Sequence, residues 1–295
     1  MILSIDSLIE LSKLAEEAAK KAGDLINAYA TKTVTPTYKN SGNSPASQVV
    51  TEVDHLCEEI ILKHLHSSLE KYDLALLTEE QEDDKQRLEK DYFWCIDPLD
   101  GTLAFTESKP GYAVSIALVS RTGESHIGVI FDPARHILYT AIKGQGAYRN
   151  GERWNLPEQL TSKTITIPFD RSLLARKDIQ KIMPALSQSL NAYGYTDLIE
   201  LHYGGAVMNA CWALEQTPSC YFKLPKQQEG GGSLWDFAAT TCLYKELAMP
   251  SGDANGQALD LNKSNTTFMN EEGVIFASSP ELISIIQSLV IQFRT

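Results

Sequence analysis

Apolar residues near the start of the chain recur three and four apart, at Ile5, Leu8, Leu11, Ala15, Ala18, Ala22, Leu25 and Tyr29. That period predicts one long amphipathic helix with its charges on the solvated face. A second helix follows, with Val53, Leu56, Ile60, Ile61, Leu65 and Leu69 on one side. Thr51 and Asp54 open it with capping-box spacing, Asp replacing the usual Glu. Between the helices, residues 31–48 hold two prolines, one glycine and many small polar residues, and read as a loop.

The pattern then shortens to strands. Leu74–Leu77 is an apolar run closed by Thr78-Glu79-Glu80, and Asp91–Ile96 is a run rich in aromatics predicted to be a buried strand ending at Asp97. The charged stretch Glu82–Asp91 is expected to be a solvated hairpin or loop. From Tyr112 to Ile142 the runs YAVSIALVS, IGVIF and ILYTAI are separated by turns at Thr122-Gly123 and Asp132-Pro133, which gives an antiparallel meander. Gly144-Gln145-Gly146 is not a nucleotide loop: Arg149 stands where a third glycine belongs, and Asn150-Gly151 signals a hairpin. The segment Gly144–Gly151 is therefore read as structural.

Beyond about residue 155 strands and helices alternate. TITI at 164–167 and CYF at 220–222 read as strands, and 206–215 as a helix. A helix opens at Trp235-Asp236-Phe237-Ala238-Ala239, after Gly230-Gly231-Gly232, and runs to about Leu247. A strand at Val274–Ala277 and a helix at Glu281–Phe293 end the chain. The class is α/β (α+β), with a half at 1–155 and a half at 156–295. No linker separates them, so they are expected to share one continuous core.

Composition mainly excludes. With 295 residues and 43% apolar content the chain can build one large domain or two closely packed ones. A formal charge of −12 argues against a nucleic-acid polymer or an anionic membrane as partner. The five cysteines form no CxxC pair, so neither a disulfide framework nor a zinc site is indicated. No apolar run approaches about 18 residues. Asp6 and Glu10 stand where a signal peptide would be basic and then apolar, so a cytoplasmic location with core thiols is expected.

The chemistry concentrates in Trp94–Thr106, WCIDPLDGTLAFT. Asp97 and Asp100 bracket Pro98 at a strand end and run into Gly101-Thr102, which reads as a helix start where backbone N–H groups can receive a phosphate oxygen. Carboxylates beside an anion site call for cations between them, and hard oxygen ligands point to Mg²⁺. Taken alone, Asp97-Pro98 and Asp100-Gly101 are also ordinary turn chemistry.

Two further stretches decide between these readings. Glu79-Glu80, then DPLDGT, then WDFAA, in that order, resemble the inositol monophosphatase superfamily of Mg²⁺-dependent, Li⁺-sensitive phosphatases. VVTEVD at 49–54, GQGAYRNG at 144–151, GGAVMNAC at 204–211 and FMNEEGVIFAS at 268–278 extend the resemblance through most of the chain. The resemblance implies a layered α-β-α-β-α sandwich with a mostly antiparallel N-terminal sheet and a second, mixed sheet. It also implies two or three Mg²⁺ ions. Glu79, Asp97 and the Leu99 carbonyl would hold the first; Asp97, Asp100 and Asp236 would hold the second. Thr102, with Glu79 behind it, would orient the attacking water. Asp54 would point at the metals or that water in addition to capping, and Glu80 would stand behind the ligands. Gly101 and Thr102 amides would cradle the phosphate. Lys39, in the 31–48 loop, would reach it if that loop folds over the metals.

For substrate, Gly204, Gly205 and Ala206 would line the pocket; their small size would admit a wide group such as adenosine or simply allow close helix packing. Glu229 stands seven residues before Asp236, the spacing of a ring-hydroxyl acceptor in inositol phosphatases, and equally suits a solvated loop acid. The stretch 256–278 is more like the branch that removes the 3′-phosphate of adenosine 3′,5′-bisphosphate. Glu246–Ser251 departs from the usual EAGG-like turn and is expected beside the substrate pocket. The reading is a phosphomonoesterase acting on the nucleotide bisphosphate, with inositol 1-phosphate second, a sugar bisphosphate more distant, and a non-catalytic phosphometabolite-binding protein as the alternative from another class. Family members are commonly homodimers.

Overall fold

A computed structural model of the chain describes residues 2–30, 37–38, 49–156 and 162–293, with 37–38 and 49–50 described by backbone alone. Helix α1 (Ile5–Tyr29) and helix α2 (Glu52–Lys71) form where the apolar period places them. Ser4 caps α1 by accepting from the Ser7 N–H, and Thr51 and Asp54 complete a reciprocal capping box on α2. Thr37–Tyr38 (β1) and Val49–Val50 (β2) pair antiparallel.

Seven strands form the main sheet in chain order: β3 (Ala75–Thr78), β4 (Tyr92–Asp100), β5 (Ala113–Ser120), β6 (Ser125–Asp132), β7 (Ile137–Ile142), β8 (Gly146–Arg149) and β9 (Glu152–Arg153). β3 runs parallel to β4, and every other pairing is antiparallel. Asn150 and Gly151 turn β8 into β9, both in left-handed conformation, as a tight hairpin of this kind requires. All of β4 and β5 is buried because both faces of the sheet are covered. Trp94, Ile96, Val114, Ile116 and Leu118 pack with α1 and α2, while Phe93, Cys95, Ala113, Ala117 and Val119 project to the opposite side.

That opposite side meets α6 (Ala206–Glu215) and α7 (Leu234–Glu246), which follow α3 (Thr102–Thr106), α4 (Arg171–Leu174) and α5 (Ile179–Ala192) in the chain. Behind them lies a second group of strands. β10 (Thr164–Pro168) and β11 (Asp197–Leu201) are parallel. β12 (Cys220–Lys223), β13 (Ser251–Gly252) and β14 (Val274–Ala277) pair antiparallel in the order β12-β14-β13. A parallel bridge between Thr166 and Ser219 joins the two sets. α5 and α8 (Pro280–Phe293) close the outer face. The result is the expected five-layer α-β-α-β-α sandwich.

Buried apolar side chains fall into three clusters, because side chains on opposite faces of a sheet are separated by its backbone, and the central cluster takes residues from both halves of the chain, so the division is by layer and not by half. Two expectations are corrected. β4 does not end at Asp97. It pairs Asp97 with Ser115 and Asp100 with Ala113, one residue too many on β4, so Pro98 and Leu99 form a bulge. A proline without an N–H suits that break in the ladder. Finally, the stretch 82–91 is not wholly solvated. Arg87, in a 3₁₀ turn (Gln86–Leu88), is completely buried, because Asp83, the Asn262 side chain and the Lys263 carbonyl all accept from its guanidinium.

All five cysteines are free and buried. Among the described residues no helix is long and apolar enough to cross a membrane.

Candidate active site

The bulge in β4 carries Asp97 and Asp100 to the edge of the sandwich's middle layer. Asp97 is 1% exposed, and its Oδ1 accepts from the Leu99 N–H at 3.0 Å. Asp100 reaches the start of α6, where Oδ1 accepts from the Ala206 N–H at 3.1 Å and Oδ2 from the Val207 N–H at 3.0 Å. The helix N-terminus thus fixes one carboxylate of the site. Asp236 stands in the first turn of α7, its Oδ2 accepting from the Ser233 N–H in a capping box. Ser115, the cross-strand partner of Asp97, donates to the Trp235 carbonyl at 3.1 Å and so ties α7 to β4. Asp97, Asp100 and Asp236 each place a carboxylate oxygen within 4.8 Å of the others.

Asp97 and Asp100 are each raised by burial and then by their carboxylate neighbours, and Glu79 acts in the same direction on Asp236. Burial is the largest cause for all three. Asp97 and Asp100 are pushed well above the usual range, reinforced by Glu79 and by Asp236 respectively, and Asp236 to about 6, opposed by the Lys223 ammonium. An all-oxygen donor set under mutual repulsion is what a hard divalent cation relieves, so these residues fit Mg²⁺.

Thr102, the first residue of α3, lines the same cavity. Its Oγ1 lies 2.9 Å from Asp54 Oδ1 and 3.0 Å from the Leu99 carbonyl. Asp54 therefore stands behind Thr102, with Glu79 lining the same cavity. Asp54 is 2% exposed, and burial lifts its pKa to about 6 against the hydrogen bonds from Thr51. The cap on α2 and the hydrogen bond to Thr102 are made by one side chain.

Glu79 lines the cavity with Leu99, Gly101 and Thr102 but lies outside the tight group of three. Glu80 turns away, its side chain 3.7 Å from His55. Gly204, Gly205 and Ala206 do line the cavity, and close packing explains their size. A Cβ on Gly205 would sit 2.3 Å from Asp100 Oδ2, and one on Gly204 2.3 Å from Asn209 Oδ1. Gly101, left-handed at φ +81°, has room for no Cβ beside the Gly111 carbonyl.

Glu229 is exposed and is not among the residues lining the cavity. Lys39 lies outside the described residues. Glu246–Ser251 is not beside the site, contrary to expectation: the Glu246 carboxylate accepts from the Gly144 and Gly146 N–H groups, and Glu246–Met249 line a different hollow with Trp154. This also confirms a structural role for the Gly144–Gly151 segment.

Sequence reasoning missed Lys223 and Asp170, which face the carboxylates across the cavity. Lys223 Nζ lies 2.7 Å from Asp170 Oδ2, and Asp170 also accepts from the Tyr221 hydroxyl at 3.1 Å. The available signal was a single lysine closing the apolar run CYF.

A buried oxygen-donor cluster at the start of two helices, inside a five-layer sandwich, defines a class of metal-dependent phosphatases. The chain belongs to the inositol monophosphatase family, whose model matches residues 7–290, and it is accordingly a metal-dependent phosphoric monoester hydrolase. It is 31% identical over 251 residues to the Nus factor SuhB of Escherichia coli, covering 82% of this chain and 85% of that one. It is 27% identical over 253 residues to human inositol monophosphatase 2, covering 85% and 83%. Its fold is similar to that of an IMPase/NADP phosphatase crystallised with NADP and Ca²⁺, with a TM-score of 0.73, 19% identity and 97% of each chain covered. Because one relative carries the name of a Nus factor, the expected exclusion of nucleic-acid partners is not retained.

Proposed function

We propose that the chain hydrolyses the 3′-phosphate of adenosine 3′,5′-bisphosphate with Mg²⁺. The observation that carries the reading is the convergence of Asp97, Asp100 and Asp236 opposite the Lys223–Asp170 ion pair. Asp97, Asp100 and Asp236 would hold one Mg²⁺, and Glu79, Asp97 and the Leu99 carbonyl another. When bound, such ions neutralise phosphoryl charge and acidify a water enough for attack near neutral pH. Gly101 and Thr102 bind the phosphate. The Thr102 hydroxyl orients the attacking water, and Asp54, held near the working pH, takes up a proton through that hydroxyl.

The nucleotide is preferred because Glu229, whose spacing suits a ring-hydroxyl acceptor, stands outside the lining, while the Lys223–Asp170 pair would sit beside either anionic substrate. Inositol 1-phosphate is the second reading, favoured by the relative named inositol monophosphatase 2.

The test is phosphate release with Mg²⁺, with and without Li⁺, from both compounds. A Li⁺-sensitive preference for the nucleotide supports the reading, and preference for inositol 1-phosphate replaces it with the second. Asp97→Asn should lower turnover by at least about 10²–10³-fold while the protein stays folded. Unchanged turnover would remove Asp97 from the site.

A further inference from the structure

Two cavities meet at Gly231. The first, about 340 Å³, holds the carboxylates, and the second, about 960 Å³, opens from it past Leu103, Asp170, Arg171 and Lys223. In a chain of formal charge −12, the second is lined by five basic side chains, Arg171, Arg176, Lys177, Lys223 and Lys226, against two carboxylates, Asp170 and Asp178. Both acids are engaged: Asp170 by Lys223, Asp178 by Arg176 through Nε and a terminal nitrogen. Arg171 is held by both oxygens of Glu107. Lys226 makes no ion pair among the described residues.

Lys226 is nonetheless firmly placed. Its N–H donates to the Asn270 carbonyl at 2.8 Å, and its carbonyl accepts from Asn270 Nδ2 at 3.0 Å. Its side chain lies over Gly231, where a Cβ would fall 2.9 Å from Lys226 Cε and 3.1 Å from Nζ. The triple glycine therefore leaves the space that sets the ammonium at the junction of the cavities. Burial and then the nearby Lys223 ammonium push the Lys226 pKa down, against the Asp170 carboxylate. Leu103, Leu224 and Met269 supply apolar wall in the same groove.

We propose that this groove seats a second anionic group of the substrate, anchored by Lys226, and so selects phosphate monoesters that carry another phosphate across a ring-shaped or apolar body. This rests on the phosphomonoesterase reading and adds the residue that distinguishes bisphosphorylated from monophosphorylated substrates.

The experiment compares adenosine 3′,5′-bisphosphate with adenosine 3′-monophosphate, by kcat/KM with Mg²⁺ and by calorimetric binding with Ca²⁺. The intact chain should favour the bisphosphate by about tenfold or more, and Lys226→Ala should reduce that ratio about tenfold, with Lys226→Arg restoring most of it. A ratio unchanged by Lys226→Ala, or absence of any preference in the intact chain, overturns the proposal. If neither compound is hydrolysed, the nucleotidase reading falls, and the calorimetric ratio still decides the groove.

Discussion

The Thr102 hydroxyl and the Asp54 carboxylate, 48 positions apart in the chain, meet at 2.9 Å inside the protein. The same carboxylate closes the capping box of α2, so the helix start that positions Asp54 also positions Thr102. Thr102→Val keeps the shape and removes the hydroxyl. We expect a loss of about 10²-fold or more in kcat/KM with circular dichroism unchanged, and Thr102→Ser within about tenfold of the intact protein. Equal activity of the valine variant would mean that the hydroxyl neither orients nor relays anything.

The buried acids set a pH dependence with a definite sign. Asp54 and Asp236 rise from an ordinary 3.8 to about 6, mainly through burial, and Asp97 and Asp100 move the same way. A carboxyl whose folded pKa lies above its unfolded value binds its proton more tightly when folded. Its stabilising contribution is complete below the unfolded value and lost as pH rises through the folded one. In chelator, stability should therefore fall between about pH 4.5 and 7.5, by about 1–3 kcal/mol for each of Asp54 and Asp236, with Asp97 and Asp100 acting in the same direction, and the thermal midpoint should fall with it. Millimolar Mg²⁺ should restore it at the upper pH and change little at the lower. A midpoint at pH 7.5 that ignores Mg²⁺ would contradict the assignment of these residues as ligands.

Gly205 separates shape from charge. Its missing Cβ leaves Asp100 in contact with the start of α6, and alanine would intrude to 2.3 Å from Oδ2. Gly205→Ala should cost about 1–3 kcal/mol of stability and displace Asp100, with turnover falling far more than the stability change explains. Titration of Mg²⁺ by its effect on thermal stability will show whether affinity falls with turnover, as displacement of Asp100 requires.

Much of this architecture was legible beforehand. α1, α2 and the meander declare themselves by period alone, and Asp97-Pro98-Leu99-Asp100, ordinary turn chemistry when taken alone, becomes informative through Glu79-Glu80 before it and WDFAA after it. The bulge was missed because a ladder irregularity is a property of two strands, here β4 against β5. Arg87 was hidden for a similar reason: its burial depends on Asn262, 175 positions away. Lys223 reaches the site because the Thr166–Ser219 bridge sets β12 alongside β10, a tertiary event with no local period. Glu229, open between a ring-hydroxyl acceptor and a solvated loop acid, shows the converse limit of spacing. Counting seven residues back from Asp236 ignores three left-handed glycines that redirect the chain, and the acid ends at the surface.

The layer made by α6 and α7 is sandwiched between both sets of strands, and the carboxylates belong to it and to β4. Helices gripped on two sides cannot swing as a hinged jaw without breaking a core. The wall of the described cavity that α6 and α7 supply is therefore set by packing on both of its faces. For an engineer this makes the protein an interchangeable die: exchanging a few rim residues, such as Lys226, should retune what is cut while the cutting edge and the frame stay as they are.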